Sequence, residues 1–168
     1  VIRAGAGLAL AGALVLGGCG GEARMPASAP STLAGKPLPK ISRPTLEGSR
    51  FDTSELAGRV VVVKFFADYC APCKKTLPAA EALHREHPEV TFVGISEDED
   101  PSTAAEISRR YQLSFPIIHD RGQALAGKFR VAELPATFVA GRDGTIRWVG
   151  GASQDEGDLG SAVESVSR

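Results

Sequence analysis

Cysteine, histidine and tryptophan are scarce in this chain. Its 168 residues include three cysteines, three histidines and one tryptophan. Three cysteines do not build a disulfide framework, and with 43% apolar residues the chain can form a core without one. Three histidines with no repeated cysteine pairs leave too few ligands for a structural zinc site, which takes four. A surplus of charge is missing too: 19 basic residues face 20 acidic ones, so no basic field is available to grip nucleic acid. No permanent membrane span is evident either. The uncharged stretch Ala4–Gly18 is shorter than the ~20 residues a bilayer needs and is rich in glycine.

What that first stretch does contain is ordered. Arg3 gives a positive start, small and apolar residues follow, and Leu16–Cys19 reads "LGGC". This is the pattern of a signal peptide, and "LGGC" resembles the bacterial lipobox, whose cysteine becomes the lipidated first residue. We therefore expect a signal peptide over 1–18 and lipid on Cys19. A flexible Pro-rich tether is expected over 19–36 and one domain over 37–168. Such a protein works outside the cytoplasm, membrane-anchored and periplasm-facing, where disulfides persist. It is expected to be a monomer. Gly20, after the lipobox cysteine, does not resemble an inner-membrane retention signal.

Along the domain the apolar pattern changes period repeatedly. Residues 41–52 read as a hairpin around "LEGS", followed by a short helical turn capped by Asp52 or Thr53. The β-branched runs 60–66 and 90–96 read as buried strands that should be adjacent and central. Between them, Ala71–His87 has helical spacing, with Leu77, Ala80, Leu83 and His84 on one face and Pro78 as a kink. A helix over 102–111 with Ser102 as N-cap follows. Then come a strand at 117–119, a short helix over 123–129, strands 136–140 and 145–150 joined by a tight turn, and a closing helix over 154–166. Helix-linked strands should be parallel and the final pair antiparallel. The fold class is α/β, a sandwich around a mixed central sheet.

"KFFADYCAPCKK", residues 64–75, carries the chemistry. Cys70 and Cys73 allow three readings. As a staple the pair closes a tiny loop, worth far less than the ~3 kcal/mol of a 15-residue loop. As a metal site it needs a further ligand. His84 and His87 lie roughly 20 Å along the helix, which leaves a copper(I) site of Cys70, Cys73 and His119. As a redox pair it sits between a buried strand and a helix N-terminus, whose partial positive charge favours Cys70 as thiolate. Pro72 fits the first helical turn, and Cys73, one turn in, can attack a mixed disulfide formed at Cys70.

In these residues the chain resembles the thioredoxin superfamily, and within it the TlpA-like branch of membrane-tethered thiol–disulfide oxidoreductases. "FFADYCAPCKKTLP" is similar to that branch's Phe-Trp-Ala-x-Trp-Cys-x-Pro-Cys signature with its later proline. "LPATFV" and "GRDG" resemble its cis-proline strand and hairpin. The resemblance implies a thioredoxin-like three-layer sandwich with an N-terminal β extension and one inserted helix. It implies Cys70 as attacking thiol, Cys73 as resolving thiol and a cis Pro135 facing them. Substrate would meet Tyr69, Ala71, Pro72 and Leu134. The activity implied is extracytoplasmic reduction of protein disulfides with electrons from a membrane donor and no cofactor beyond the cysteine pair. Peroxiredoxins share the wider fold, but "KFFADYC" lacks the proline and threonine of their peroxidatic motif.

The departures from the branch are Phe66 and Tyr69 in place of tryptophans, Ala71 in place of glycine, and Lys64. The last stands where relatives carry a buried acid or Asn, beneath the cysteines. A buried ammonium should find a carboxylate or lose its proton readily. The second central strand runs into "SEDED", so Glu97 is the expected partner, and Lys64 with Glu97 would manage the proton of Cys73. The alternative is that Lys64 snorkels to solvent along its apolar stem.

Overall fold

The computed structural model describes Val1, residues 29–153 and residues 156–167. The signal-peptide and lipidation expectations, Cys19 included, lie outside the described residues.

The hairpin forms at the expected place. β1 (Ser42–Pro44) pairs antiparallel with β2 (Arg50–Asp52) as a separate two-stranded sheet. Asp52 then caps a single 3-10 turn, Thr53–Glu55, its carboxylate accepting from Ser54 N. The central sheet has five strands in the order β5-β4-β3-β6-β7. They are β3 (Val61–Phe66), β4 (Thr91–Ser96), β5 (Ile117–His119), β6 (Ala136–Ala140) and β7 (Ile146–Gly150). The β3–β4 and β4–β5 pairs are parallel, while β3–β6 and β6–β7 are antiparallel. All six residues of β3 are buried, as expected of a strand covered on both faces.

Alternation along β3 divides the core in two. Val61, Val63 and Phe65 pack with Ile41, Phe129 and Phe138 beneath the hairpin and α3 (Ala124–Lys128). Val62 and Phe66 pack with Leu77, Ile107 and Val163 beneath α1 (Ala71–Glu86), α2 (Pro101–Arg110) and α4 (Glu156–Ser167). Helices therefore cover both faces, giving the three-layer thioredoxin-like arrangement. Lys64 falls on the α1 face by the same alternation. In register it lies between Gly94 on β4 and Thr137 on β6. Gly94 has no room for a side chain, because a Cβ there would come within 2.6 Å of Ile117 Cδ1.

Two expectations are corrected. α2 begins at Pro101, and its N-cap is Asp100, whose carboxylate accepts from Ser102 N at 2.8 Å. Ser102 is therefore inside the helix, since Pro101 occupies the first turn, where its missing N–H costs nothing. The tether is also shorter than expected at its C-terminal end. Leu33 is buried in the core with Ile41 and Phe51. Ser31 Oγ donates to Phe129 O at 2.6 Å, and Gly35 N donates to Ile146 O at 2.8 Å. Residues 30–36 are held by these bonds, so a single leucine in a polar run suffices to dock the segment.

Candidate active site

β3 delivers the cysteine pair to the end of the sheet, and α1 starts there because Cys70 itself caps it. Cys70 is the N-cap in extended conformation, and Cys73 N donates to Cys70 Sγ at 3.1 Å. The two cysteines form a disulfide. Cys70 is 6% exposed and Cys73 fully buried, the order expected for an attacking and a resolving sulfur. Ala71 is exposed and Pro72 half-buried. The Leu134–Pro135 peptide bond is cis, and Leu134 lines the same groove as Cys70, Ala71 and Pro72.

A groove of about 550 Å³ runs past the disulfide. Its walls include Tyr69, Cys70, Ala71, Pro72, Glu97 and Leu134. Tyr69 stands out of it, 69% exposed, an unusual placement for a large ring. Partial burial and then the carboxylates of Glu97 and Asp98 raise its phenol pKa, so the hydroxyl stays neutral. Every residue expected at the substrate face is thus brought together, with Gln123, the N-cap of α3, and Val131–Glu133 from the loop before Pro135 added.

Lys64 and Glu97 are not brought together. Lys64 is 2% exposed, and its Nζ donates to Thr137 Oγ1 at 3.3 Å. It therefore does not snorkel to solvent. Burial lowers its pKa from 10.5 to about 7. Glu97 leaves the end of β4 toward the groove instead, where its Oε2 accepts from Gln123 Nε2 at 3.1 Å. Its Oε1 is buried without a hydrogen-bond partner. Burial, then Asp120 and Asp98, raise the Glu97 pKa. The expected pair fails because Lys64 is in register with Gly94, on the face that Phe92 shares, whereas residue 97 follows Val93 and Ile95 on the other face and lies three residues further along.

Asp98 is a positioning residue that the sequence did not single out. It is 5% exposed, and its Oδ1 accepts from Asp68 N at 2.9 Å while Ser96 Oγ donates to Oδ2 at 2.8 Å. It so pins the loop that leads into Cys70. The available signal was its place two residues after Ser96, inside the acidic run of residues 97–100. Asp68 is held outside by Lys74 at 3.2 Å and Arg110 at 3.4 Å.

The copper set is not assembled. His119 Nε2 lies 2.7 Å from Asp98 O, and among the described residues no group of three His, Cys, Asp or Glu side chains is placed to share a metal ion. What the geometry can do is thiol–disulfide exchange. When reduced, the sulfur at the helix start is stabilised as thiolate by the Cys73 N–H and the open turn, with a second thiol one turn behind it.

Comparison with known proteins agrees with this chemistry. The model of the AhpC/TSA family matches residues 34–149. A protein named thiol-disulfide oxidoreductase ResA, from Bacillus anthracis, is 30% identical over 114 residues. The match covers 67% of this chain and 66% of the relative, just under two thirds of its length. The ResA of Halalkalibacterium halodurans is 33% identical over 103 residues, 60% of this chain and 58% of that one. A secreted Mycobacterium tuberculosis disulfide oxidoreductase homologous to E. coli DsbE superposes with a TM-score of 0.69 at 26% identity. That superposition covers 74% of this chain and 95% of that one. MTB dsbF superposes at 0.71, also with 26% identity, over 77% and 98%. The matched segment contains both cysteines, Lys64 and Pro135, and the chain belongs to the AhpC/TSA family, with a thioredoxin-like fold of the TlpA/ResA kind.

Proposed function

We infer that this protein is an extracytoplasmic thiol–disulfide oxidoreductase acting on protein disulfides through Cys70 and Cys73. The observation that carries the reading is the Cys73 N–H directed at Cys70 Sγ at the start of α1, beside an open groove. In the reductive direction the Cys70 thiolate attacks one sulfur of a substrate disulfide. A mixed disulfide forms, and the other substrate sulfur leaves as thiolate. The Cys73 thiolate then attacks Cys70 Sγ, closing the Cys70–Cys73 disulfide and expelling the second substrate thiolate. Two electrons pass to the substrate, and two protons follow them. A dithiol donor held in the membrane restores the pair by the same exchange in reverse.

The substrate would lie as an extended peptide in the groove, against Tyr69, Ala71, Pro72 and Leu134, with backbone pairing to the strand that Pro135 begins. Glu97 sets the charge beside Cys70. Lys64 lies on the sheet face that α1 covers, and α1 carries Cys73, so its amine is the candidate proton acceptor for the resolving thiol. The names of the ResA relatives and the secreted M. tuberculosis homologue support both the activity and a site outside the cytoplasm. Among the described residues no helix is long and apolar enough to cross a membrane. Lipid on Cys19 would supply the anchor, and a monomer suffices for the exchange. Mass spectrometry of the processed N-terminus tests the anchor.

A redox titration of the purified protein against dithiothreitol, with turnover on a disulfide-bonded protein, tests the activity. A two-electron transition, about 30 mV per tenfold change in ratio, together with turnover lost in both Cys→Ala variants, is the expected result. Intact turnover in those variants sinks the reading.

A further inference from the structure

A second cavity, separate from the groove, lies behind the first turns of α1. Its volume is about 760 Å³, and its walls include Ala79, Ala82, Trp148 and Leu159, with Lys64 and Thr137. That volume falls within the ~300–1,000 Å³ of small-molecule sites. The walls are mostly apolar, yet they contain a side chain that favours a charged guest. The Lys64 ammonium has three N–H donors, and the hydrogen bond it makes is to Thr137 Oγ1. Burial is the cause of its lowered pKa, and no carboxylate offsets it. Lys64 and Lys75 are the titratable side chains among the described residues of the wall. No acidic side chain is among the described residues of the wall.

We propose that this cavity binds a small apolar monocarboxylate, its tail against Ala79, Ala82, Trp148 and Leu159 and its carboxylate on the Lys64 ammonium and the Thr137 hydroxyl. One buried cation balances one negative charge. A divalent anion such as phosphate would carry excess charge into apolar walls, and a neutral guest would leave the ammonium's remaining donors unmet. The inference goes beyond the redox reading and does not depend on it, because it concerns binding in the oxidised protein.

Trp148 is the only tryptophan in the chain, so its fluorescence reports on this cavity alone. The test titrates the full, oxidised chain with octanoate, and with octan-1-ol as the uncharged tail, by Trp148 fluorescence and calorimetry. Saturable octanoate binding at pH 6 is expected, weakening at least tenfold by pH 9 as Lys64 loses its proton. Lys64→Met should weaken octanoate at least tenfold and leave octan-1-ol bound as well or better. Ala82→Phe, which fills the cavity and keeps Lys64, should weaken both. Should Lys64→Met not fold, the pH dependence and Ala82→Phe decide the matter. Equal octanoate affinity at pH 6 and pH 9, equal affinity in Lys64→Met, binding that leaves Trp148 fluorescence unchanged, or no binding at pH 6 each overturns the proposal. Loss of turnover in the cysteine variants has no bearing on this result.

Discussion

The backbone N–H of Cys73 points at Cys70 Sγ from 3.1 Å, so each cysteine of the pair shapes the other's chemistry without leaving the helix start. On reduction that N–H and the open first turn of α1 hold Cys70 as thiolate. Its pKa should lie below that of a free thiol, readable by ultraviolet absorbance of the thiolate in Cys73→Ala. That variant should also trap a covalent complex with substrate, while Cys70→Ala should trap nothing. Trapping through Cys73 with turnover retained would reverse the assignment.

Lys64 should make the protein pH-sensitive on the alkaline side. Its folded pKa is lowered to about 7 from 10.5. Between those values the unfolded chain binds more protons than the folded one, so stability rises with pH across that window. Lys64→Met removes the buried charge and should be more stable at pH 6 by roughly 2–4 kcal/mol. The difference should shrink as pH climbs toward 10. Urea unfolding at pH 6 and pH 9.5 reads it, and parallel curves for the two proteins would contradict it. If Lys64 accepts the Cys73 proton, the same variant also flattens the pH dependence of mixed-disulfide release near pH 7.

Glu97 opposes Cys70. Its pKa is raised by burial, Asp120 and Asp98, and once ionised it puts negative charge in the groove beside the attacking sulfur. Glu97→Gln removes that charge and should lower the apparent Cys70 pKa. Substrate attack near pH 6 should speed accordingly. An unchanged pH–rate profile would remove Glu97 from the site.

Glu81 has a structural role, and its pKa is shifted in the direction opposite to that of Glu97. Burial pushes its pKa up, but the Ser114 hydroxyl and N–H together with Arg85 hold it below 4.5. Its oxygens accept from Ser114 Oγ at 2.7 Å and Ser114 N at 2.8 Å, and Arg85 Nε lies 2.6 Å away. The stability it contributes is present above pH 4.5 and is lost as pH falls through the folded value. Glu81→Ala should cost about 1–3 kcal/mol at pH 7. In thermal melts the gap to the unaltered protein should narrow in acid.

Much of the fold was legible because β3 and β4 are largely apolar, β-branched and aromatic runs, and "CAPC" fixes where α1 begins. The Asp100 cap was legible in principle, since Asp-Pro places a capping carboxylate directly before a first-turn proline. What sequence could not supply was the third neighbour. Alternation puts Lys64 on a face, but only the β3–β6 pairing puts Thr137 beside it, and nothing local announces that β6, far along the chain, returns to that edge. Leu33 was missed for a related reason. One apolar residue has no period, and its burial depends on a hairpin and a helix that are distant in sequence.

Pro72 stands in the wall of the redox groove and also in the wall of the Lys64 cavity. A partition with two faces ties what happens on one side to what happens on the other. If the cavity holds its guest more tightly in the disulfide state than in the dithiol state, reciprocity requires that guest to favour oxidation. A tenfold preference lowers the midpoint potential by about 30 mV. The readiness of this protein to give up electrons would then follow the concentration of a small solute as well as the residues between its cysteines.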